Sequence, residues 1–127
     1  MISLHEPEIT EKDQKTVLKS LRSGWVSISG KGKFVKKFED KISKFCKVKY
    51  VLATNSGTSS LFLALRIAGV KKNYEVIVPT ITFIAPINAV RYNGAEPVFM
   101  DSDIYYNIDV DKTISFIKSY TIYKNGF

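Results

Sequence analysis

Apolar positions fall along this chain in two patterns, short unbroken runs and longer stretches with a period near 3.6. Tyr50-Val51-Leu52 is a short apolar run that gives way to the small polar residues Asn55-Ser56-Gly57-Thr58. Leu61, Ala64, Leu65 and Ala68 then recur at helical spacing, with Gly69 placed as a stop. The pattern predicts a strand, a tight turn and a helix. Glu75 to Val78 is a second strand, running through Pro79 to Phe83 into a short apolar helix; Pro86 is tolerable in its first turn and Gly94 ends it. Pro97 to Met100 is a third strand, Ser102 to Asn107 a polar and aromatic loop, and Asp109 the cap of a last helix carrying Val110, Ile114 and Ile117. Between the second helix-strand pair, Lys71 to Tyr74 makes a turn in which Asn73 tolerates a left-handed backbone.

Two amphipathic helices come before this alternation. Thr10 and Asp13 have capping-box spacing ahead of the stripe Val17, Leu18 and Leu21, which Gly24 closes. Val35, Phe38, Ile42 and Phe45 step by three, four and three and predict a core face on the next helix. Helices are therefore expected to start near Thr10, Phe34, Gly57, Ile84 and Val110, and strands to centre on Val51-Leu52, Ile77 and Val98-Phe99. The fold class is α/β with a mainly parallel sheet and right-handed crossovers. Leu61 and Leu65 should face the sheet, and Lys36, Lys37 and Lys44 should lie outside. No internal repeat or linker interrupts the chain, so its 127 residues read as one domain.

Composition narrows the function less than it first suggests. The net charge of +7 comes from 19 basic and 12 acidic residues, a balance that admits nucleic acid or a membrane surface. The lysines, however, are scattered beside Glu and Asp on helix faces, the pattern of a solvated surface. Such a surface also attracts nucleotide diphosphates. One Cys and one His exclude an internal disulfide and make a metal site of soft ligands improbable. No stretch approaches the length of an apolar membrane span, and the start lacks a basic region followed by an apolar one. A soluble, cytoplasmic protein that binds neither nucleic acid nor membrane is the expectation.

The turn at Asn55 to Thr58 carries the candidate chemistry. A helix start has unpaired N–H groups and the positive end of the helix dipole, and Ser56 and Gly57 would let a phosphate approach that backbone closely. Ser56 and Thr58 add hydroxyls. The plain alternative is that Ser56 is only the helix cap. A second glycine-containing stretch, Trp25 to Lys33, satisfies neither phosphate-loop template. Gly24 and Gly30 enclose five residues instead of four, Gly32 follows Lys31 where Ser or Thr is required, and Gly30-x-Gly32 has no third glycine and no strand before it.

Five stretches stand together in order and spacing: WVS-x-x-G from Trp25 to Gly30, Phe38-Glu39, NSGT from Asn55 to Thr58, EVIVPTITFIAPINA from Glu75 to Ala89, and GAEPVFMDSD from Gly94 to Asp103. Together they resemble the DegT/StrS sugar aminotransferases over nearly the whole chain. Leu4-His5-Glu6-Pro7 and Asn107-Ile108-Asp109 are most similar to the LegC-type branch, which acts on nucleotide-linked 4-keto sugars. The resemblance implies a three-layer α/β architecture, of which residues 1–127 would form the N-terminal part of the large domain of the aspartate-aminotransferase-like (type I) pyridoxal phosphate fold. It also implies an enzyme that moves an amino group, from glutamate or a similar donor, onto a nucleotide sugar used in surface polysaccharide or lipopolysaccharide. A homodimer that shares its active sites is implied when the protein is full length.

Carried over residue by residue, the resemblance assigns Gly57 and Thr58, with Ser56, to the cofactor phosphate, and Phe83 to the face of the cofactor ring. By itself Phe83 reads more readily as a core residue at a strand end. Ser27 and Ser29 fall in a loop that in the family lies by the substrate; a flexible entry loop is the alternative. Asp101 and Asp103 follow a strand at the end where parallel-sheet sites lie, yet the family's pyridine-pairing Asp stands on a later strand and the matching loop is peripheral. None of the lysines stands in the context of the family's Schiff-base lysine. The chain is thus expected to be an inactive fragment of an enzyme with no catalytic residue of its own. The competing readings are a truncated homologue acting as an interaction partner of a full-length subunit, and a basic nucleic-acid-binding domain.

Overall fold

The computed structural model describes residues 6–26 and 32–122. The chain divides into two compact units, residues 1–53 and 54–127. The first unit holds helices α1 (Glu11–Arg22) and α2 (Lys33–Cys46). Thr10 caps α1 in the expected box: the Asp13 backbone N–H donates to its hydroxyl at 3.3 Å and its own N–H donates to the Asp13 carboxylate at 2.9 Å. These bonds hold the Asp13 carboxyl below its ordinary value of 3.8. α2 ends where Lys47 turns left-handed, at φ 54°. Lys36, Lys37 and Lys44 are exposed, as their register requires.

The apolar stripes of these helices are less covered than expected. Val35 and Ile42 are half-buried, but Phe38 and Phe45 are 54% and 86% exposed, and Val17, Leu18 and Leu21 are also open. Periodicity fixes which face of a helix is apolar; it does not supply the element that covers it. The strand expected at Val51-Leu52 is likewise absent from the described residues. A strand exists only where its backbone groups pair with a neighbour, and here the N–H of Ala53 donates to the Glu39 carboxylate of α2 at 2.9 Å.

The second unit contains α3 (Gly57–Ile67), β1 (Glu75–Pro79), α4 (Ile84–Tyr92), β2 (Glu96–Met100) and α5 (Val110–Tyr120). The four expected helix starts at Thr10, Gly57, Ile84 and Val110 stand in place, and α2 begins one residue before Phe34. β1 and β2 pair in parallel, with Ile77 opposite Val98 and Val78 opposite Phe99. The fold is therefore α/β with a parallel sheet, the two strands joined through α4.

The core sits where α4 lies on this sheet. Val78, Val90 and Ala95 are buried together, with Leu65, Val70, Tyr74, Val76 and Ile87 packed against them. Each fully buried Val contributes about 1.5–3 kcal/mol relative to exposure. Leu65 of α3 joins this core, but Leu61 is 40% exposed. The face that α3 turns to α4 runs instead along Phe62, whose carbonyl receives the Asn93 amide at 3.3 Å. That amide also donates to the Ala89 carbonyl at 2.9 Å, and Asn93 is buried. Gly94 then takes φ +75°, and a Cβ there would stand 3.3 Å from the Lys72 Cβ. Only glycine meets both demands, so the chain turns from α4 into β2 at this point. Asn73 is left-handed at φ 69°, and its N–H donates to the Gly94 carbonyl at 3.1 Å.

Two outcomes follow from these anchors. Gly94→Ala should destabilise the unit by roughly 1–2 kcal/mol. Asn93→Asp should destabilise it more at pH 7 than at pH 4, because a charged carboxylate would face two carbonyls; thermal melts at both pH values check this. The Asp13 box acts in the opposite sense. Its lowered carboxyl stabilises α1 above pH 3.8 and that contribution disappears as pH falls through the folded value. In an NMR pH titration, Asp13 should titrate below the ordinary aspartate value of 3.8, and Thr10→Ala should remove the depression.

Candidate functional site

The first turn of α3 is built by Ser56. Its hydroxyl oxygen accepts from the Ser59 N–H at 3.2 Å and lies 3.1 Å from the Ser59 hydroxyl. The Ser59 hydroxyl in turn donates to Asn55 Oδ1 at 2.7 Å. Ser56 is thus a helix cap in fact, which leaves the next two residues as the available donors. Among the described residues, the N–H groups of Gly57 and Thr58 and the Thr58 hydroxyl have no hydrogen-bond partner. A Cβ placed on Gly57 would meet nothing within 4 Å. Two free N–H groups, a free hydroxyl and open space at a helix N-terminus are the donor set and the room that a phosphate monoester needs. Thr58, Ser59 and Phe62, with Tyr92 of α4, line a hollow of about 300 Å³ beside this turn.

Phe83 stands at the other end of α4. It is the N-cap residue of that helix, directly after the turn that follows β1, and its ring is 86% exposed. It is not a core residue, the plainer of the two readings its sequence allowed. Ile81, Thr82, Phe83 and Tyr106 line a second hollow of about 470 Å³. The two hollows share no lining residue. Nine helical residues, or about 14 Å of rise, separate Phe83 from Tyr92. The structure places the anion cradle and the exposed ring in one unit but not on one cavity wall.

The acids after β2 are engaged locally. Asp101 accepts from the Lys112 ammonium at 2.7 Å, a contact that, with Asp109 nearby, raises the lysine above its ordinary value. Asp103 Oδ1 accepts from the Tyr105 and Asn107 N–H groups at 2.8 and 2.9 Å. Both carboxylates therefore shape the loop between β2 and α5. From that loop Tyr106 lines the hollow of Phe83. Sequence reasoning passed over Tyr106 and Tyr92; the one local signal was the Asp103-to-Asn107 turn that carries Tyr106.

Ser27 and Ser29 lie outside the described residues. In the first unit, Ser23, Trp25, Lys33 and Phe34, on either side of that stretch in sequence, line a hollow of about 200 Å³. No group of three or more His, Cys, Asp or Glu able to hold a metal occurs among the described residues. None of their helices is long and apolar enough to cross a membrane.

The architecture and the motifs recur in known proteins. The family profile described as DegT/DnrJ/EryC1/StrS aminotransferase matches residues 7–124. A GDP-perosamine synthase from Escherichia coli O157:H7 is 43% identical over 102 residues, which cover 80% of this chain and 28% of that protein. A GDP-perosamine synthase from Caulobacter vibrioides is 39% identical over 87% of this chain and 30% of its own length. Among solved structures, a sugar aminotransferase from Streptococcus pneumoniae in its PLP-form superimposes with a TM-score of 0.77 at 32% identity, covering 90% of this chain and 29% of that one. The chain thus spans under a third of the length of these relatives. With a profile matching nearly its whole length, the chain belongs to the DegT/DnrJ/EryC1/StrS aminotransferase family.

Proposed function

We propose that these residues form the N-terminal part of the cofactor-binding large domain of a pyridoxal-phosphate-dependent aminotransferase. Its reaction moves an amino group, with glutamate as donor, onto a nucleotide-linked 4-keto sugar destined for surface polysaccharide or lipopolysaccharide. The names of the relatives, GDP-perosamine synthases and a sugar aminotransferase, support the sugar as acceptor. A cytoplasmic homodimer of the LegC-type branch is the finer form of the same reading.

One observation carries the cofactor assignment: the open first turn of α3, where Gly57 and Thr58 keep their N–H groups free. In this reading those two groups and the Thr58 hydroxyl hold the phosphate, Ser56 keeps the turn in shape, and Phe83 offers its exposed face to the ring. Ser27 and Ser29 meet the sugar or its phosphates. When bound, pyridoxal phosphate would supply the carbonyl carbon and the electron-withdrawing ring that amino-group transfer requires. This chain's residues would bind and orient it. None of its lysines is assigned the covalent link.

A second reading, an interaction partner of a full-length subunit, draws on the exposure of Phe45, Ile67, Ile104 and Ile122, each above 80%. Co-purification with a full-length family member, lost when these residues are made polar, would favour it.

Titration of the 127-residue chain with pyridoxal phosphate should give weak, reversible binding, with no stable internal aldimine absorbance and no one unique lysine carrying the pyridoxyl group after borohydride. Thr58→Ala and Phe83→Ala should each weaken it by about 1 kcal/mol, near fivefold, without lowering the thermal midpoint. A trapped pyridoxyl-lysine at one unique position together with transamination, or affinity indifferent to both substitutions, would overturn the assignment.

A further inference from the structure

The peptide between Ser56 and Gly57 carries one of the two free N–H groups at the first turn of α3, and its carbonyl end is held by more than the helix. A trans peptide is planar, so its carbonyl and its N–H point in opposite directions, and whatever fixes the one aims the other. In an ordinary helix the carbonyl of the cap residue accepts from the N–H four residues on. Here the Ser60 N–H makes that bond at 3.1 Å. Two hydroxyls converge on the same oxygen: Thr54 Oγ1 stands 3.1 Å from it and Ser60 Oγ 3.3 Å, and the two hydroxyls are also in hydrogen-bond contact with each other. Their two protons suffice for this arrangement. One hydroxyl donates to the Ser56 carbonyl, the other donates to the first, and the two lone pairs of the carbonyl oxygen are then filled by the Ser60 N–H and a hydroxyl. Among the described residues no side chain donates to the Gly57 carbonyl, whose peptide carries the Thr58 N–H.

We propose that Thr54 and Ser60 are positioning residues for the phosphate of the cofactor: their hydroxyls pin the Ser56 carbonyl and so hold the Gly57 N–H aimed outward at the anion. The role rests on the reading of the first turn of α3 as the phosphate seat. Glycine makes the pinning necessary. Without a Cβ, Gly57 restricts its own φ little, and a Cβ there would meet no neighbour within 4 Å, so packing on that side does not set the plane. A donor that swings between orientations must be ordered when an anion arrives, whereas a donor already aimed escapes that cost. A hydroxyl on the carbonyl also polarises the peptide and strengthens its N–H as a donor. The Ser56 hydroxyl caps the helix by accepting from Ser59, and the hydroxyls of Thr54 and Ser60 orient the Ser56 backbone.

The test follows the Gly57 and Thr58 amide signals of the isotope-labelled 127-residue chain while inorganic phosphate or pyridoxal phosphate is added. Either hydroxyl alone reaches the Ser56 carbonyl, so both are removed together, by Thr54→Val with Ser60→Ala. This double variant should bind both probes about three- to tenfold more weakly, with the Gly57 shift at saturation reduced relative to that of Thr58 and with its helical circular dichroism kept. Thr54→Ser retains the hydroxyl and should behave as the parent chain does. Equal affinity and an unchanged Gly57 shift in the double variant would refute the clamp and leave the phosphate seat standing. Loss of helical dichroism, with the two amide shifts falling together, would make the hydroxyls structural and refute the clamp as well. If neither amide of the parent chain moves with either probe, the seat itself is overturned, and the clamp with it.

Discussion

The return of the chain from α4 into β2, at Asn93-Gly94-Ala95, is the constraint on which the second unit depends. Ala95 and Val90 close the core against Val78, Gly94 supplies the left-handed backbone beside Lys72, and the Asn93 amide reaches the Phe62 carbonyl. This corner fixes α4 on the parallel strands and ties the body of α3 to the end of α4. The open first turn of α3 and the exposed ring at the start of α4 are then held by packed helices. A buried amide bonded to two carbonyls has few alternatives.

Local chemistry was legible in the sequence wherever one or two residues decide it. The Thr10–Asp13 box, the Ser56 and Asp109 caps, the left-handed Asn73 and the turn at Gly94 all stand as their residue types require. So do the parallel strands at Ile77 and Val98, because short apolar runs alternating with helices leave few other arrangements. Tertiary choices were less legible. Val51-Leu52 has strand composition but no pairing partner among the described residues, and Leu61 was assigned to a face that α3 turns elsewhere. Phe38 and Phe45 keep helical spacing without a covering element. In each case the sequence specifies a surface and the neighbour that would bury it is a separate fact.

The candidate site shows the same division. The turn at Ser56 to Thr58 could be singled out because a helix N-terminus carries its donors wherever it lies, though the assignment of Gly57 and Thr58 to a phosphate came from the family resemblance. Phe83 needed the family resemblance, since an aromatic residue at a strand end is ordinarily core, and only the structure shows its ring open. Tyr106 had no comparable signal. Its place depends on a loop closed by the bridge between Ser102 and Ile108 and by Lys112 on Asp101, contacts that a composition of polar and aromatic residues does not foretell.

The central claim is that the phosphate of the cofactor rests on the first turn of α3. Backbone amide NMR of the isotope-labelled chain addresses it residue by residue during addition of pyridoxal phosphate. The account predicts that the Gly57 and Thr58 amide signals shift most, moving with a common midpoint. Shifts confined to residues around exposed lysines, with Gly57 and Thr58 unmoved at saturation, would contradict it.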